Sequence, residues 1–126
     1  MLATAKVATR LPAQDLDRAR AFYAENLGLE PSEERPGGLL YTPARGGEFA
    51  LFTSAGAPSG THTQMGFEVD DIEAFAAHLR ERGVTLEVDD ITEVEGNYPS
   101  KGGRGERAIW FRDSEGNLLG VGEVVP

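Results

Sequence analysis

One pattern occurs twice in this chain, and a chain that repeats a supersecondary unit folds as copies of that unit. Asp15 precedes the amphipathic stretch "LDRARAFYAENL" and Gly28 follows it. Asp71 precedes "IEAFAAHLRER" and Gly83 follows that one. The interval from 15 to 71 nearly equals the interval from 28 to 83, and the openings Asp-Leu-Asp and Asp-Ile-Glu match in kind. Aspartate suits a helix N-terminus because its carboxylate accepts from backbone N–H groups that have no partner in the helix. Glycine suits the exit because it takes a left-handed conformation freely. Asp70 and Glu73 also have capping-box spacing. In the first helix Leu16, Ala19, Phe22 or Tyr23, and Leu27 recur at helical spacing, and Phe22 and Phe75 are expected in the cores.

Strand signals surround both helices in the same order. Residues 4–11 read as a strand ended by Pro12 and Ala13. "LEPSEE", "GLLYTP" and "EFALFTS" follow the first helix, separated by the turn clusters "RPGG" and "ARGG". Residues 55–61, "AGAPSGT", read as a linker. "HTQMGFEV" then precedes the second helix, and "VTLEVDDI", "RAIWFRD" and "NLLGVGEVV" follow it. "DSEGN" forms the turn between the last two, with Gly116 at positive φ. The sequence therefore predicts an α+β fold of two tandem βαβββ modules, about 4–54 and 62–124, in a single domain over 1–126. Two glycines, Gly120 and Gly122, stand on the last strand, where a bare position weakens a strand.

Composition removes several function classes. The chain of 126 residues has 12 Lys and Arg against 21 Asp and Glu, a formal net charge of −9. That balance argues against nucleic acid and against anionic membranes, both of which attract cations. The absence of cysteine excludes disulfides and thiolate chemistry. A 40% hydrophobic, 26% charged composition fits a soluble globular protein. No apolar run reaches the roughly 18 residues of a membrane span. "MLATAKVATRLPAQD" has no signal-peptide core, so a cytoplasmic location is expected.

Three motifs in order carry a family resemblance. "ATRLPAQDLDRARAFYAENLGLEP" resembles the opening of the vicinal oxygen chelate superfamily, which takes in glyoxalases, bleomycin resistance proteins and extradiol dioxygenases. "QMGFEVDDIEA" is similar to its second-module opening. "FRDSEGNLL" is similar to its closing hairpin, with Ser114 where proline is usual. The resemblance implies paired βαβββ modules whose curved sheets form a cup, and frequent homodimers. It does not imply one activity, because the superfamily also includes methylmalonyl-CoA epimerase, fosfomycin-resistance enzymes and metal-free bleomycin-binding proteins.

Metal-dependent members hold a divalent ion in the cup, and the resemblance places the ligand positions at Ala8, Leu51, Gln64 and Gly120. Only Gln64 has a donor atom, and a divalent site wants three or more protein ligands. A metal at these positions is therefore not expected, and no cofactor is implied. His62 and Gln64, two residues apart on one side of a strand, are the pair around which a displaced ion or a ligand could gather. Arg10 shares parity with Ala8; inside a cup it would need an anionic ligand or an internal carboxylate such as Glu48 or Glu68.

The stretch "EGNYPSKGGRGER", residues 95–107, suits a lid: its three cations are Lys101, Arg104 and Arg107, and Tyr98 adds an aromatic face. Strand aromatics, among them Phe49 and Trp110, are expected to divide between cup and core. Serines 54, 59, 100 and 114 stand in loops away from both histidines, against a Ser/His/Asp nucleophile.

The function expected from this pattern is metal-independent binding of a partly apolar small organic molecule, by sequestration as in antibiotic-binding members. Arg10, Phe49, His62, Gln64, Tyr98 and Trp110 are the expected contacts. The alternative is a glyoxalase-like lyase, isomerase or dioxygenase with a displaced metal near His62 and Gln64. A third is an interaction module using the fold as scaffold.

Overall fold

A computed structural model describes residues 1–53, 56–58, 60–95 and 104–126 of the chain. Two compact units emerge, Met1–Pro58 and Ser59–Pro126, and the division falls inside the stretch 55–61. Among the described residues no helix is long and apolar enough to cross a membrane.

The first unit contains β1 (Thr9–Ala13), α1 (Leu16–Leu27), β2 (Glu33–Arg35), β3 (Gly38–Tyr41) and β4 (Phe49–Thr53). Its sheet has the order β1-β4-β3-β2, with β1 parallel to β4 and the other pairs antiparallel. The second unit contains β5 (Met65–Glu68), α2 (Ile72–Glu81), β6 (Thr92–Glu95), β7 (Gly105–Arg112) and β8 (Leu118–Val125). Its order is β5-β8-β7-β6, and β5 is the strand that pairs in parallel, with β8. The same βαβββ unit is thus built twice, the fold is α+β, and both sheets are open.

Both helices begin and end as their sequences dictate. The Asp15 carboxylate accepts from the Arg18 N–H, and the Asp71 carboxylate accepts from the Ala74 N–H, each at 3.0 Å. Gly28 at φ 68° and Gly83 at φ 80° turn the chain out of each helix. The next residues, Leu29 and Val84, donate back to Tyr23 and Leu79 at 3.0 and 2.9 Å. The N-terminus of α2 is further tied to its sheet. Glu123 on β8 accepts from the Ile72 N–H at 3.3 Å, and Arg107 on β7 donates to Glu73 at 2.6 Å.

Each helix covers one face of its own sheet. In the first unit Leu11, Ala13, Tyr41, Phe49 and Leu51 face Ala19 and Tyr23 of α1, all 3% exposed or less. Tyr41 and Phe49 stack at 4.8 Å with 4° between their planes, and Tyr23 meets both. Tyr23 fills this core while Phe22 remains half-buried. In the second unit Ile109, Phe111, Leu119 and Val121 meet Ile72, Ala76 and Leu79 in the core. Phe75 is half-buried against Phe111 at 6.4 Å.

Three expectations about strands are corrected. β1 starts at Thr9 and runs through Pro12, which is registered with Phe52. Proline is tolerated there because β1 is an edge strand, where a missing N–H interrupts one ladder at most. "VTLEVDDI" is not a strand: Leu86 makes an isolated bridge to Phe111, and the paired strand comes later, at Thr92–Glu95. Pairing along β7 decides that segment, and local alternation does not. β7 itself starts at Gly105, so Gly105, Glu106 and Arg107 are sheet residues and no part of a lid.

Candidate functional site

Strand alternation gives each sheet a second face, turned away from its helix. On the second unit the register places Trp110, Gly120 and Gly66 in one row across β7, β8 and β5. Arg112 and Leu118 form the neighbouring row. A pocket of about 550 Å³ opens over this face, bordered by Thr61, His62, Glu87, Trp110, Arg112 and Leu118. That volume lies within the roughly 300–1,000 Å³ typical of small-molecule sites.

The bare positions on β8 are explained by what lies on them. A Cβ at Gly120 would stand 3.2 Å from Trp110 Nε1, 3.3 Å from Trp110 Cδ1 and 3.2 Å from the Thr63 methyl. Glycine lets the indole lie close to the strand and present its ring to the pocket. A Cβ at Gly122 would stand 2.2 Å from the Glu106 carboxylate, which is itself 8% exposed.

Polar groups hold the pocket wall in place. Arg112 Nε lies 3.1 Å from Glu87 Oε1, and Arg112 Nη1 donates to the Gly116 carbonyl at 2.9 Å. Glu87 is brought there by its own N–H, which donates to the Trp110 carbonyl at 2.8 Å. The Arg112–Glu87 pair is partly exposed, so it orients more than it stabilises.

Gln64 has a structural position. Its Nε2 donates to Asn117 Oδ1 at 3.2 Å, its Oε1 accepts from the Leu118 N–H at 3.2 Å, and its backbone N–H donates to the Leu118 carbonyl at 2.9 Å. Asn117 is fully buried and also donates to Asp113 Oδ2 at 2.9 Å. Asp113 Oδ1 accepts from the N–H groups of Glu115 and Asn117, both at 2.9 Å. The amide of Gln64 thus fastens the approach to β5 onto the β7–β8 hairpin.

The other expected contacts divide. Trp110 and His62 border the pocket, with His62 exposed and preceding β5. Arg10 is on the first unit, on the face turned away from α1, in the row Arg10–Ala50–Leu40. Phe49 is corrected: it is 3% exposed in the helix-side core, one step out of phase with Ala50 and Phe52. Tyr98 and Lys101 lie outside the described residues. Arg104 and Arg107, expected in the lid, pair with Glu93 at 3.2 Å and Glu73 at 2.6 Å.

The four metal positions do not fit a divalent ion. Ala8 is exposed ahead of β1. Leu51 is fully buried and faces α1; the β4 residues of the other face, Ala50 and Phe52, have no donor either. Both amide atoms of Gln64 are engaged, and the space above Gly120 belongs to Trp110 and Thr63. Among the described residues no three His, Cys, Asp or Glu side chains gather in a group that could hold a metal.

Sequence reasoning missed Arg112, Glu87 and Leu118. Arg112 was within reach, since it shares the parity of Trp110. Glu87 was not, because its approach depends on a bridge made at the edge of β7.

Comparison with known proteins places this geometry. Residues 5–121 match the model of the Glyoxalase/Bleomycin resistance protein/Dioxygenase superfamily. No curated protein matches. Among solved structures, TnmS3, an antibiotic binding protein from Streptomyces sp. CB03234, is 25% identical with a TM-score of 0.64, covering 98% of this chain and 99% of that one. Lactoylglutathione lyase from Agrobacterium tumefaciens is also 25% identical, with a TM-score of 0.66 and coverage of 95% and 93%. The fosfomycin resistance protein FosX from Listeria monocytogenes has a TM-score of 0.72 at 15% identity, covering 94% and 90%, a likeness of fold alone.

Proposed function

The chain belongs to the glyoxalase/bleomycin resistance protein/dioxygenase superfamily, and on that premise we propose that it binds a partly apolar small organic molecule without a metal, by sequestration. The observation that carries this reading is the state of the ligand positions. Where a metal-binding relative needs donors, this chain has an exposed alanine, a core leucine, an engaged amide and a glycine covered by an indole.

The pocket beside Trp110 supplies what such a ligand needs. The indole and Leu118 offer apolar surface, and His62, Thr61 and the Arg112–Glu87 pair offer polar groups at its border. An aromatic wall with a few placed polar groups is the usual composition of a small-molecule site. Identity does not choose between relatives, since the antibiotic binding protein and the lyase both stand at 25%; the sparse donor set supports the first. Homodimerisation accompanies this proposal on the resemblance to the family, and gel filtration with light scattering tests it.

The rival is a glyoxalase-like lyase, isomerase or dioxygenase with a displaced ion. His62 and Glu87 border the same pocket and could each donate, but Gln64 is engaged elsewhere.

Two measurements on one preparation decide. Protein purified without chelator is assayed for metals, and Trp110 emission is followed as apolar and amphiphilic antibiotics are titrated. Saturable quenching in metal-free protein supports sequestration. Stoichiometric zinc, nickel, manganese or iron sinks it.

A further inference from the structure

The hydrogen-bonding groups of the Trp110 pocket narrow what it can hold. Arg112 has its Nε against Glu87 Oε1 at 3.1 Å and its Nη1 on the Gly116 carbonyl at 2.9 Å. Among the described residues no group takes its Nη2. The Trp110 indole N–H has no acceptor among the described residues either, with the Thr63 methyl and the bare Gly120 backbone beside it. Both residues border the pocket. They stand two apart on one face of β7, with Cα atoms about 6.7 Å from each other. N–H groups of these two kinds only donate, so a ligand atom with a lone pair is what completes them.

Charge narrows the choice further. Arg112 and Glu87 offset each other at 3.1 Å, so the pair presents little unbalanced charge to a ligand. A carboxylate would meet Glu87 as well as Arg112, in a chain of net charge −9. An ammonium group would meet Arg112 as well as Glu87 and would leave both open donors unfilled. An uncharged carbonyl oxygen meets neither difficulty and loses less hydration than an ion on entering. Because Nε and Nη1 are already held, Nη2 is offered in a fixed direction, and little side-chain freedom is lost on binding.

We infer that Arg112 is the specificity-determining residue of this pocket and that it selects an uncharged aromatic carbonyl compound, such as a ring ketone, lactone or lactam. The ring lies against the Trp110 indole and Leu118, and the carbonyl oxygen accepts from Arg112 Nη2. Glu87 holds the guanidinium and cancels its attraction for anions. This inference rests on the pocket's proposed binding role and names the class of its ligand.

The test is a titration of the metal-free, ¹⁵N-labelled full chain with four probes on related two-ring bodies: 1-tetralone, tetralin, 1-aminotetralin and 1-naphthoate. The chain has one tryptophan, so the indole N–H gives a single resonance that reports the pocket. 1-Tetralone is expected to move it saturably, and each of the other three to bind at least about fivefold more weakly. Arg112→Met is expected to bring 1-tetralone down to the level of tetralin and to leave tetralin unchanged, whereas a merely structural arginine would weaken both alike. Glu87→Gln keeps an acceptor for Arg112 and removes the offsetting charge. It is expected to strengthen 1-naphthoate at least about fivefold with little change for 1-tetralone. Tetralin binding as well as the ketone, either ion binding better than the ketone, or Glu87→Gln without effect on naphthoate overturns the assignment to Arg112 and leaves the pocket's binding role standing. If no probe moves the indole resonance, the binding role fails and this inference fails with it.

Discussion

The indole of Trp110 lies against the bare backbone of Gly120, so closely that a Cβ there would meet both Nε1 and Cδ1 within 3.3 Å. A methyl at 120 must push the ring or Thr63 outward by a few tenths of an ångström. Gly120→Ala is therefore expected to cost about 1–2 kcal/mol of stability, in the range for inserting a methyl into a packed site. It is also expected to shift Trp110 emission and to weaken any ligand seated on that ring. Urea melts and emission spectra check both. An unshifted spectrum would mean the ring does not rest on the glycine.

Gln64 and Asn117 separate a structural amide from a ligand-contacting one. Gln64→Ala leaves the Leu118 N–H without its side-chain acceptor and removes the donor to the buried Asn117 oxygen. The expected loss is about 1–3 kcal/mol. Gln64→Glu keeps the acceptor but sets a carboxylate against Asn117 Oδ1, so it should not restore the loss. If Gln64→Ala leaves the urea midpoint unmoved, the hairpin fastening is not its role.

How far these relationships could be read from the sequence depends on their range. The helices and their caps were legible, because Asp15, Gly28, Asp71 and Gly83 act on their own neighbours. The module repeat was legible for the same reason. Gly120 was read as an absent ligand and not as a seat for Trp110, since the seat requires β7 to lie beside β8 in a given register. Phe49 was assigned to the wrong face because the four residues Phe49 to Phe52 are all apolar, so their alternation has no phase until α1 packs on them. Pro12 was read as a strand end, although an edge strand can accept it.

Tyr41 gives a pH-dependent test of the first core. Its hydroxyl is buried with no hydrogen-bond partner among the described residues. Burial pushes the phenol up to about 12, with Arg20 acting in the opposite direction and Glu30 in the same one. The folded state thus holds this proton more tightly than the unfolded chain, whose tyrosines titrate near pH 10. The stability contribution is intact below about pH 10 and is lost as pH rises toward about 12, by roughly 2–3 kcal/mol in total. Tyr41→Phe should lack this part of the alkaline loss and, at neutral pH, should be equal to the parent or more stable by up to about 1 kcal/mol. Urea midpoints measured in parallel at pH 7 and pH 11 give both differences. Identical alkaline losses in the two proteins would show that the phenol is hydrated in the folded state.

Gly120→Glu restores a carboxylate at the position where metal-binding relatives are expected to have one, and it tests the metal reading directly. The new side chain must first displace Trp110 and Thr63. Even then Ala8 and Leu51 offer no donor, Leu51 faces α1, and Gln64 is held by Asn117 and Leu118. One free carboxylate falls short of the three or more protein ligands of an ordinary divalent site. The variant is expected to be less stable than the parent by about 1–3 kcal/mol and to bind zinc or nickel no better than the parent by calorimetry. Tight stoichiometric binding would mean that donors converge at Gly120 after all, and would turn the proposed function from sequestration toward catalysis.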